Sequence, residues 1–180
     1  MSALVALGSN IGDRARTLGW AARRILETCA VPGSFHASHL YETPPMGSVP
    51  QPDYLNAVVL FETALDPRPL LDVLLAIEGE AGRKRGVRWG PRSLDLDLLD
   101  LGGMTVREPG LTLPHPGIAE RPFVLIPLCE IAPGWRHPLT GGTAAEMLGT
   151  LDPDPGEARL HGPLRAHPDG EETRAESAAT

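Results

Sequence analysis

Hydrophobic positions recur with two different periods along the first 150 residues of the chain. Short apolar or β-branched runs predict strands at residues 3–7, 34–42, 54–64, 94–98 and 111–113. Apolar residues at helical spacing predict helices at residues 18–29, 67–81, 123–130 and 143–148. Pro127 is expected to shorten or bend the third of these helices. The first two helices alternate with at least four strands, which predicts an α/β protein, an α+β sandwich with helices packed on one sheet.

The pattern changes after Leu151. Prolines recur there among acidic and small residues, and the large apolar residues are Leu160 and Leu164. A segment of this composition buries too little apolar surface to offset the entropy that is lost on folding. The sequence therefore predicts a folded domain of residues 1–151 and a disordered tail of residues 152–180.

Composition and charge exclude several classes of protein. The 180 residues carry a formal net charge of -7 and are 42% hydrophobic, which fits one soluble globular domain. An acidic chain is a poor general nucleic-acid binder and has no large positive field for an anionic membrane. The chain also has no apolar run of about 20 residues and no secretory signal. These features predict a cytoplasmic protein with no nucleic-acid or membrane partner.

The sharpest chemical signal is a basic segment after the second predicted helix. Five cations occur within ten residues without an acidic residue, at Arg83, Lys84, Arg85, Arg88 and Arg92. A solvated charged face is the ordinary explanation of such a run. However, an indole in the middle of the run, Trp89, would be wasteful in solvent unless it packs on something. Arginine forks suit phosphate oxygens, so the segment favours a polyphosphate ligand.

Asp95 and Asp97 follow this basic segment directly. They are two residues apart on a predicted strand, so they share one face, while the leucines beside them share the other. Taken alone, they would be explained by an amphipathic strand with a solvated polar face. The neighbouring arginines favour a Mg²⁺ site, because two close carboxylates repel each other unless a cation lies between them. Arginines and a metal pair are the components of phosphoryl or pyrophosphoryl transfer.

Other candidate residues carry weaker signals when they are taken alone. His115 lies between two prolines that fix its direction, but a lone histidine is more often structural than catalytic. Tyr54, Asn56 and Phe123 offer two aromatic faces and an amide, although core packing and a strand edge explain them as well. The chain has no glycine loop of the Walker or dinucleotide-binding type, so a nucleotide would be bound in another way.

Six motifs resemble those of one known family, in the same order. They are Leu-Gly-Ser-Asn at 7–10, Tyr-Glu-Thr-Pro-Pro-Met-Gly at 41–47, Gln-Pro-Asp-Tyr-Leu-Asn-Ala at 51–57, Gly-Arg-Lys-Arg at 82–85 with Arg-Trp-Gly-Pro-Arg at 88–92, Leu-Asp-Leu-Asp at 94–97, and Leu-Pro-His at 113–115 with Arg121 and Phe123. From about Val5 to Trp135 the chain resembles hydroxymethyldihydropterin pyrophosphokinase of folate biosynthesis. The tail lies outside the resemblance.

The resemblance implies a fold and a reaction. The fold is ferredoxin-like, with a mostly antiparallel sheet and helices packed on it. The reaction transfers the β,γ-pyrophosphate of ATP to the hydroxymethyl group of 6-hydroxymethyl-7,8-dihydropterin and releases AMP. Two Mg²⁺ ions held by Asp95 and Asp97 would bridge the ATP phosphates. We expect the enzyme to be a monomer.

The resemblance also implies a role for each residue that matches a family motif. The implied ATP contacts are Glu78, Arg83, Arg85, Arg88, Trp89, Arg92, Leu98, Thr112, His115 and Arg121. The implied pterin contacts are Thr43, Met46, Tyr54, Asn56 and Phe123. The implied catalytic residues are Arg83, Arg85, Arg92 and Asp97. Asp97 is a candidate to accept or relay the proton of the alcohol. Gly110 and Pro116 stand where some family members have an arginine and a tyrosine.

Two other functions use the same types of residue. A metal-dependent nucleotidyltransferase also needs paired aspartates and nearby arginines, but it releases pyrophosphate instead of AMP. A non-catalytic RNA-binding module on a ferredoxin-like sheet would place the basic segment on phosphates and stack bases on Tyr54 or Phe123. The acidic body and the aspartate pair oppose the second alternative, because they would repel RNA unless a metal were bound.

Overall fold

Strands and helices alternate along most of the chain. The structure is a computed structural model, and it describes residues 1–45, 50–82, 90–153 and 157–166. Its strands are β1 (Ser2–Ser9), β2 (His36–Ala37), β3 (His39–Thr43), β4 (Tyr54–Glu62), β5 (Asp95–Leu101), β6 (Val106–Glu108), β7 (Leu111–Leu113) and β8 (Arg159–Pro163). Its helices are α1 (Arg14–Thr28), α2 (Pro67–Glu80), α3 (Pro122–Ile131) and α4 (Ala144–Leu151), and a 3₁₀ turn spans Ile118–Glu120.

Six of these strands form one antiparallel sheet. The order across the sheet is β5-β1-β4-β3-β8, and β2 also pairs with β4. The units β1-α1-β3 and β4-α2-β5 interleave, so that β1 and β4 lie side by side in the middle of the sheet. This is the ferredoxin-like arrangement, and the predicted fold is confirmed.

Helices cover both faces of the sheet. α1 and α2 lie over one face, where Val5, Leu7 and many other apolar side chains are buried. α3 and α4 cover the opposite face, where Leu4 and Leu99 are buried. Because successive side chains of a strand point to opposite faces, a strand in the middle of such a sheet is apolar at most positions. Among the residues that the structure describes, no helix is long and apolar enough to cross a membrane.

Two predicted elements differ in detail from what the sequence indicates. The strand expected at residues 34–42 is interrupted at Ser38, whose hydroxyl accepts a hydrogen bond from the N–H of Val58 at 3.0 Å. Pro127 lies inside α3 without ending it, and the helix continues to Ile131. The side chains of Val124, Leu125 and Leu128 are buried against the sheet, and this packing stabilises the helix on both sides of the proline.

The prediction of a disordered tail is wrong for residues 157–166. β8 pairs with β3 at the edge of the sheet, and Leu164 and Ala166 are buried in the core on the α1 side. Backbone pairing with a distant strand supplies hydrogen bonds that composition does not reveal. Gly19 in α1 makes room for this segment, because a side chain there would collide with the carbonyl oxygen of Arg165.

Removal of the chain after Pro153 should lower the melting temperature by about 5 °C or more, because the core loses Leu164 and Ala166. Gly19→Ala should act in the same direction, because its methyl group displaces the docked segment. Gly149→Ala in α4 is the control, since its methyl group meets open space. Thermal unfolding followed by circular dichroism measures all three. An unchanged melting temperature in the truncated protein would show that the segment does not stabilise the fold.

Candidate active site

A cavity of about 310 Å³ opens beside the N-terminal end of α3, and we call it the first cavity. Its wall contains four of the residues predicted to bind the pterin, namely Thr43, Tyr54, Asn56 and Phe123. These residues come from β3, β4 and α3, which the fold brings together from distant parts of the chain. The structure thus places two aromatic rings, an amide and a hydroxyl around one space.

A second cavity, of about 380 Å³, is lined by residues of α2, β5 and β7. Its wall contains residues predicted to contact ATP, among them Glu78, Leu98, Thr112 and His115. Leu71 and Leu75 of α2 give this cavity an apolar side. Arg121, which is also predicted to contact ATP, lines the first cavity instead. Five predicted site residues lie outside the described part of the chain: Met46, Arg83, Arg85, Arg88 and Trp89.

The two cavities share one wall. Four residues line both of them, namely Arg92, Asp95, Asp97 and His115. β5 carries the two aspartates and lies at an edge of the sheet, so its side chains can face both the sheet surface and the space beyond the edge. A ligand in either cavity would therefore reach the same two carboxylates.

The register between β1 and β5 determines what lies beside the aspartates. Asp95 is paired with Gly8 of β1, and Asp97 is paired with Ala6. These small residues leave space over the sheet beside both carboxylates. The leucines at 94, 96 and 98 are buried in the core on the side of α1 and α2, as the period of two in the sequence predicts.

Among the described residues, Arg92 and Arg121 contact the aspartates. Nη1 of Arg92 lies 2.5 Å from Oδ2 of Asp95, and Nη1 of Arg121 lies 3.4 Å from Oδ2 of Asp97. The guanidinium of Arg121 also lies 5.8 Å from the centre of the Phe123 ring. Burial and the charge of Asp95 raise the pKa of the Asp97 carboxyl above its ordinary value, although His115, Arg121 and Arg92 act in the opposite direction. A further cation would therefore be favourable here.

His115 is oriented by backbone contacts. Nδ1 of its ring accepts a hydrogen bond from the backbone N–H of Gly117 at 3.1 Å. The backbone N–H of His115 donates to the carbonyl oxygen of Leu99 at 2.8 Å. Burial lowers the pKa of the imidazole, although the nearby Asp97 carboxylate acts in the opposite direction. A neutral ring in this arrangement carries its proton on Nε2, which lies 4.0 Å from Oδ2 of Asp97. His115 can therefore donate a hydrogen bond at the wall that the cavities share.

The floor of the first cavity depends on a glycine. Nδ2 of Asn56 donates a hydrogen bond to Oγ1 of Thr43 at 2.7 Å, which fixes the amide. A Cβ atom added to Gly8 would lie 3.0 Å from Oδ1 of Asn56 and 3.9 Å from the Cβ of Asp95. Because Gly8 has no side chain, a strip of uncovered backbone lies between the Asn56 amide on β4 and the Asp95 carboxylate on β5.

Ser9 and Asn10 hold Arg92 in place, a role that the sequence did not reveal. Oδ1 of Asn10 accepts from the N–H of Arg92 at 2.7 Å, and the N–H of Asn10 donates to the carbonyl of Arg92 at 3.1 Å. Ser9 donates to the carbonyl of Ser93 at 2.6 Å, and Nδ2 of Asn10 donates to Gln51 at 3.0 Å. Buried polar residues directly after an apolar strand were the available signal, because such groups need specific partners.

Glu78 has a structural contact in addition to its place in the second cavity. Its Oε1 accepts a hydrogen bond from the N–H of Leu96 at 2.7 Å, and the residue is only 3% exposed. Leu96 lies between the two aspartates on the edge strand. The N–H groups on the outer side of an edge strand need partners outside the sheet, so Glu78 helps to fix the position of Asp95 and Asp97.

Asp95 and Asp97 are the candidate ligands for a metal ion. Across the ranges that the structure describes, no group of three or more His, Cys, Asp and Glu side chains is arranged to hold an ion. A site with two carboxylates suits Mg²⁺, which usually keeps several water molecules and takes other ligands from phosphates. The raised pKa of Asp97 fits the same ion, because burial and the charge of Asp95 disfavour the ionised carboxyl, and a bound cation would offset both effects.

Known proteins match this chain over most of its length. The family model of 7,8-dihydro-6-hydroxymethylpterin-pyrophosphokinase (HPPK) matches residues 4–133. The chain belongs to this family. The 2-amino-4-hydroxy-6-hydroxymethyldihydropteridine pyrophosphokinase of Methylorubrum extorquens is 44% identical over 151 residues, which cover 84% of this chain and 94% of the relative. The protein of the same name from Bacillus subtilis is 45% identical over 129 residues, which cover 72% of this chain and 77% of the relative.

A solved structure of an HPPK-containing protein has the same fold. It is the crystal structure of wild-type Plasmodium falciparum HPPK-DHPS with SDX-DHP, which matches with a TM-score of 0.64 at 16% sequence identity. The match covers 83% of this chain and 44% of that protein, so the chain spans less than half of it. The members of the HPPK family are pyrophosphokinases that use ATP, and this chain is an enzyme of that kind.

Replacement of Asp97 by asparagine should raise the melting temperature of this HPPK family member at pH 7 in the absence of ligands. Because the pKa of Asp97 is raised on folding, its ionised form destabilises the folded state at neutral pH, and a neutral amide removes this effect. The gain should shrink as the pH falls through the raised pKa, where the parent carboxyl also becomes neutral.

Thermal unfolding in EDTA between about pH 7 and pH 3 measures this effect. Asp72→Asn, on the exposed side of α2, is the matched control that removes one remote carboxylate. A lower melting temperature at pH 7 for Asp97→Asn, with Asp72→Asn unchanged, would contradict the electrostatic account of the pair.

Proposed function

We propose that the protein transfers the β,γ-pyrophosphate of ATP to the hydroxymethyl group of 6-hydroxymethyl-7,8-dihydropterin and releases AMP, as a step of folate synthesis. The observation that carries the proposal is the pair of adjoining cavities with a shared wall at Asp95 and Asp97. Transfer between two substrates needs such an arrangement, because the attacking oxygen and the leaving oxygen must reach the same phosphorus atom.

The first cavity would bind the pterin. Tyr54 and Phe123 offer aromatic faces for a flat ring, and the bonded pair of Asn56 and Thr43 offers polar groups for its edge. With the ring at Asn56, the hydroxymethyl group would extend across the strip at Gly8 toward the aspartates. The absence of a side chain at Gly8 supports this path, because a larger residue would block it.

The second cavity would bind ATP. Leu71 and Leu75 offer apolar surface to the nucleoside, and Arg92 and His115 offer donors to the phosphates at the shared wall. The remaining phosphate contacts would come from the basic segment, with Arg83, Arg85, Arg88 and Trp89. Closure of this segment over ATP would exclude water, which would otherwise compete with the alcohol.

Asp95 and Asp97 would hold two Mg²⁺ ions. Bound Mg²⁺ would neutralise phosphate charge and polarise the group that is transferred. The raised pKa of Asp97, which burial and the charge of Asp95 cause, supports this assignment. Arg92 and Arg121 carry permanent positive charge at the same place, so they can donate to phosphate oxygens that approach the aspartates.

Catalysis by this chain would consist mostly of positioning and charge compensation. The alcohol needs no covalent enzyme intermediate if it lies in line with the β-phosphorus of ATP. Asp97 is the candidate to accept or relay the proton of the alcohol, because it lies on the wall that the two cavities share. His115 would stabilise charge on the phosphates through Nε2. A monomeric, cytoplasmic enzyme without a nucleic-acid partner is part of the same proposal.

Asp95→Asn and Asp97→Asn should each lower the rate of AMP formation by about a thousandfold or more, because the charge that holds the metal is lost. The assay is AMP release from ATP in the presence of Mg²⁺ and the reduced pterin. Asp72→Asn should retain the parent rate, since this residue lies on the exposed side of α2. A near-parent rate in either aspartate variant of β5 would rule out the assigned metal site.

Gly8→Ala should raise the KM for the pterin by about tenfold or more, because the new methyl group crowds the Asn56 amide and raises the cavity floor. The KM for ATP should change little, since Gly8 does not line the second cavity. Steady-state kinetics separate the two values, and Gly149→Ala is the glycine control. Equal changes in both KM values would mean that Gly8 acts on the fold and not on the pterin site.

A further inference from the structure

The C-terminal strand contacts the strands that form the pterin side of the site. β8 lies beyond residues 4–133, the part of the chain that matches the HPPK family model. It pairs with β3 in a register that places Arg159 opposite Glu42. The strand therefore adds a side chain next to the end of β3 that the matched region alone does not contain.

Within the described ranges, Arg159 belongs to a network with Glu42, Asp53 and Arg14. Its Nη2 lies 3.1 Å from Oε2 of Glu42 and 3.6 Å from Oδ2 of Asp53. Arg14 of α1 completes the network, because it donates to Oε1 of Glu42 at 2.8 Å and to the carbonyl of Asp53 at 2.6 Å. The two arginines hold the pKa of Glu42 below its usual range, and Arg14 is the larger cause.

The network holds the two strand ends that carry pterin-side residues. Glu42 precedes Thr43, and Asp53 precedes Tyr54. Thr43 and Tyr54 are paired across β3 and β4, and both line the first cavity. Adjacent residues of a strand point to opposite faces, so the charged network lies on the side of the sheet away from these two side chains. A shift of the strand ends would therefore move Thr43 and Tyr54 together.

We infer that Arg159 is a positioning residue for the pterin half of the site, which makes the C-terminal strand part of the functional unit. This inference rests on the proposed function. Arg159 acts from outside the cavity, since it does not line the cavity wall, and it acts by bridging Glu42 and Asp53. Its effect should therefore fall on the binding of the pterin and leave the binding of ATP unchanged.

Arg159→Gln in the full chain tests the inference, because it removes the charge and keeps most of the side chain. The expected result is a KM for the pterin about threefold to fivefold higher, as for loss of an exposed ion-pair network, with kcat and the KM for ATP within about twofold. Arg159→Lys should restore part of the difference. Arg24→Gln is the matched control, because Arg24 forms a comparable exposed pair with Glu80 between α1 and α2.

Salt provides a second measurement of what the ion pairs of Arg159 contribute to pterin binding. Exposed charges are screened at high ionic strength, so the pterin KM of the parent should rise toward that of Arg159→Gln in about 0.5 M NaCl. The pterin KM of Arg159→Gln should depend on salt less than that of the parent. Both titrations use saturating ATP, so that phosphate binding does not contribute.

Each outcome has one meaning. If the parent is active and its KM for the pterin equals that of Arg159→Gln, the inference is overturned and the proposed function stands. If Arg159→Gln has a lower kcat, equally raised KM values for ATP and the pterin, and a lower melting temperature, the inference is also overturned. Arg159 would then stabilise the fold in general. A parent that forms no AMP from ATP and the pterin contradicts the proposed function itself.

Discussion

Repulsion between two carboxylates on one strand is the constraint on which the rest of the site depends. β5 holds Asp95 and Asp97 on the same face, and burial together with the charge of Asp95 raises the pKa of Asp97 despite the contacts with Arg92 and Arg121. Such a pair is poorly suited to stabilise a fold and well suited to bind a cation and a polyphosphate. The pair therefore explains why arginines, a histidine and small residues gather around this strand.

The ferredoxin-like sheet allows this pair to serve two cavities. β5 lies at an edge of the sheet, with β1 on one side and the second cavity on the other. Gly8 and Ala6 of β1 have no bulky side chain to fill the space next to the aspartates. Glu78 of α2 accepts a hydrogen bond from the backbone of β5 on its outer side. A ligand in either cavity can thus approach the same carboxylates.

The alternation of faces in β5 followed from the sequence, because it depends on local periodicity. The ferredoxin-like fold was implied by the resemblance of six motifs to one family. The role of Asn10 did not, since its hydrogen bonds to Arg92 join residues more than 80 positions apart. The docking of β8 was also missed. It depends on backbone pairing with β3 and on the close approach at Gly19, and neither leaves a local hydrophobic pattern. The roles of all the site residues stay predictions, and Met46, Arg83, Arg85, Arg88 and Trp89 lie outside the described part of the chain.

Under the proposed function, groups in the two adjoining cavities act on one phosphorus atom, the β-phosphorus of ATP. The most direct measurement is ³¹P NMR of the products formed by the full chain from ATP, Mg²⁺ and 6-hydroxymethyl-7,8-dihydropterin. The account predicts the signals of AMP and of a diphosphate ester in equal amounts, with no inorganic pyrophosphate. Inorganic pyrophosphate with an adenylylated product, or ADP with a monophosphate ester, would contradict it.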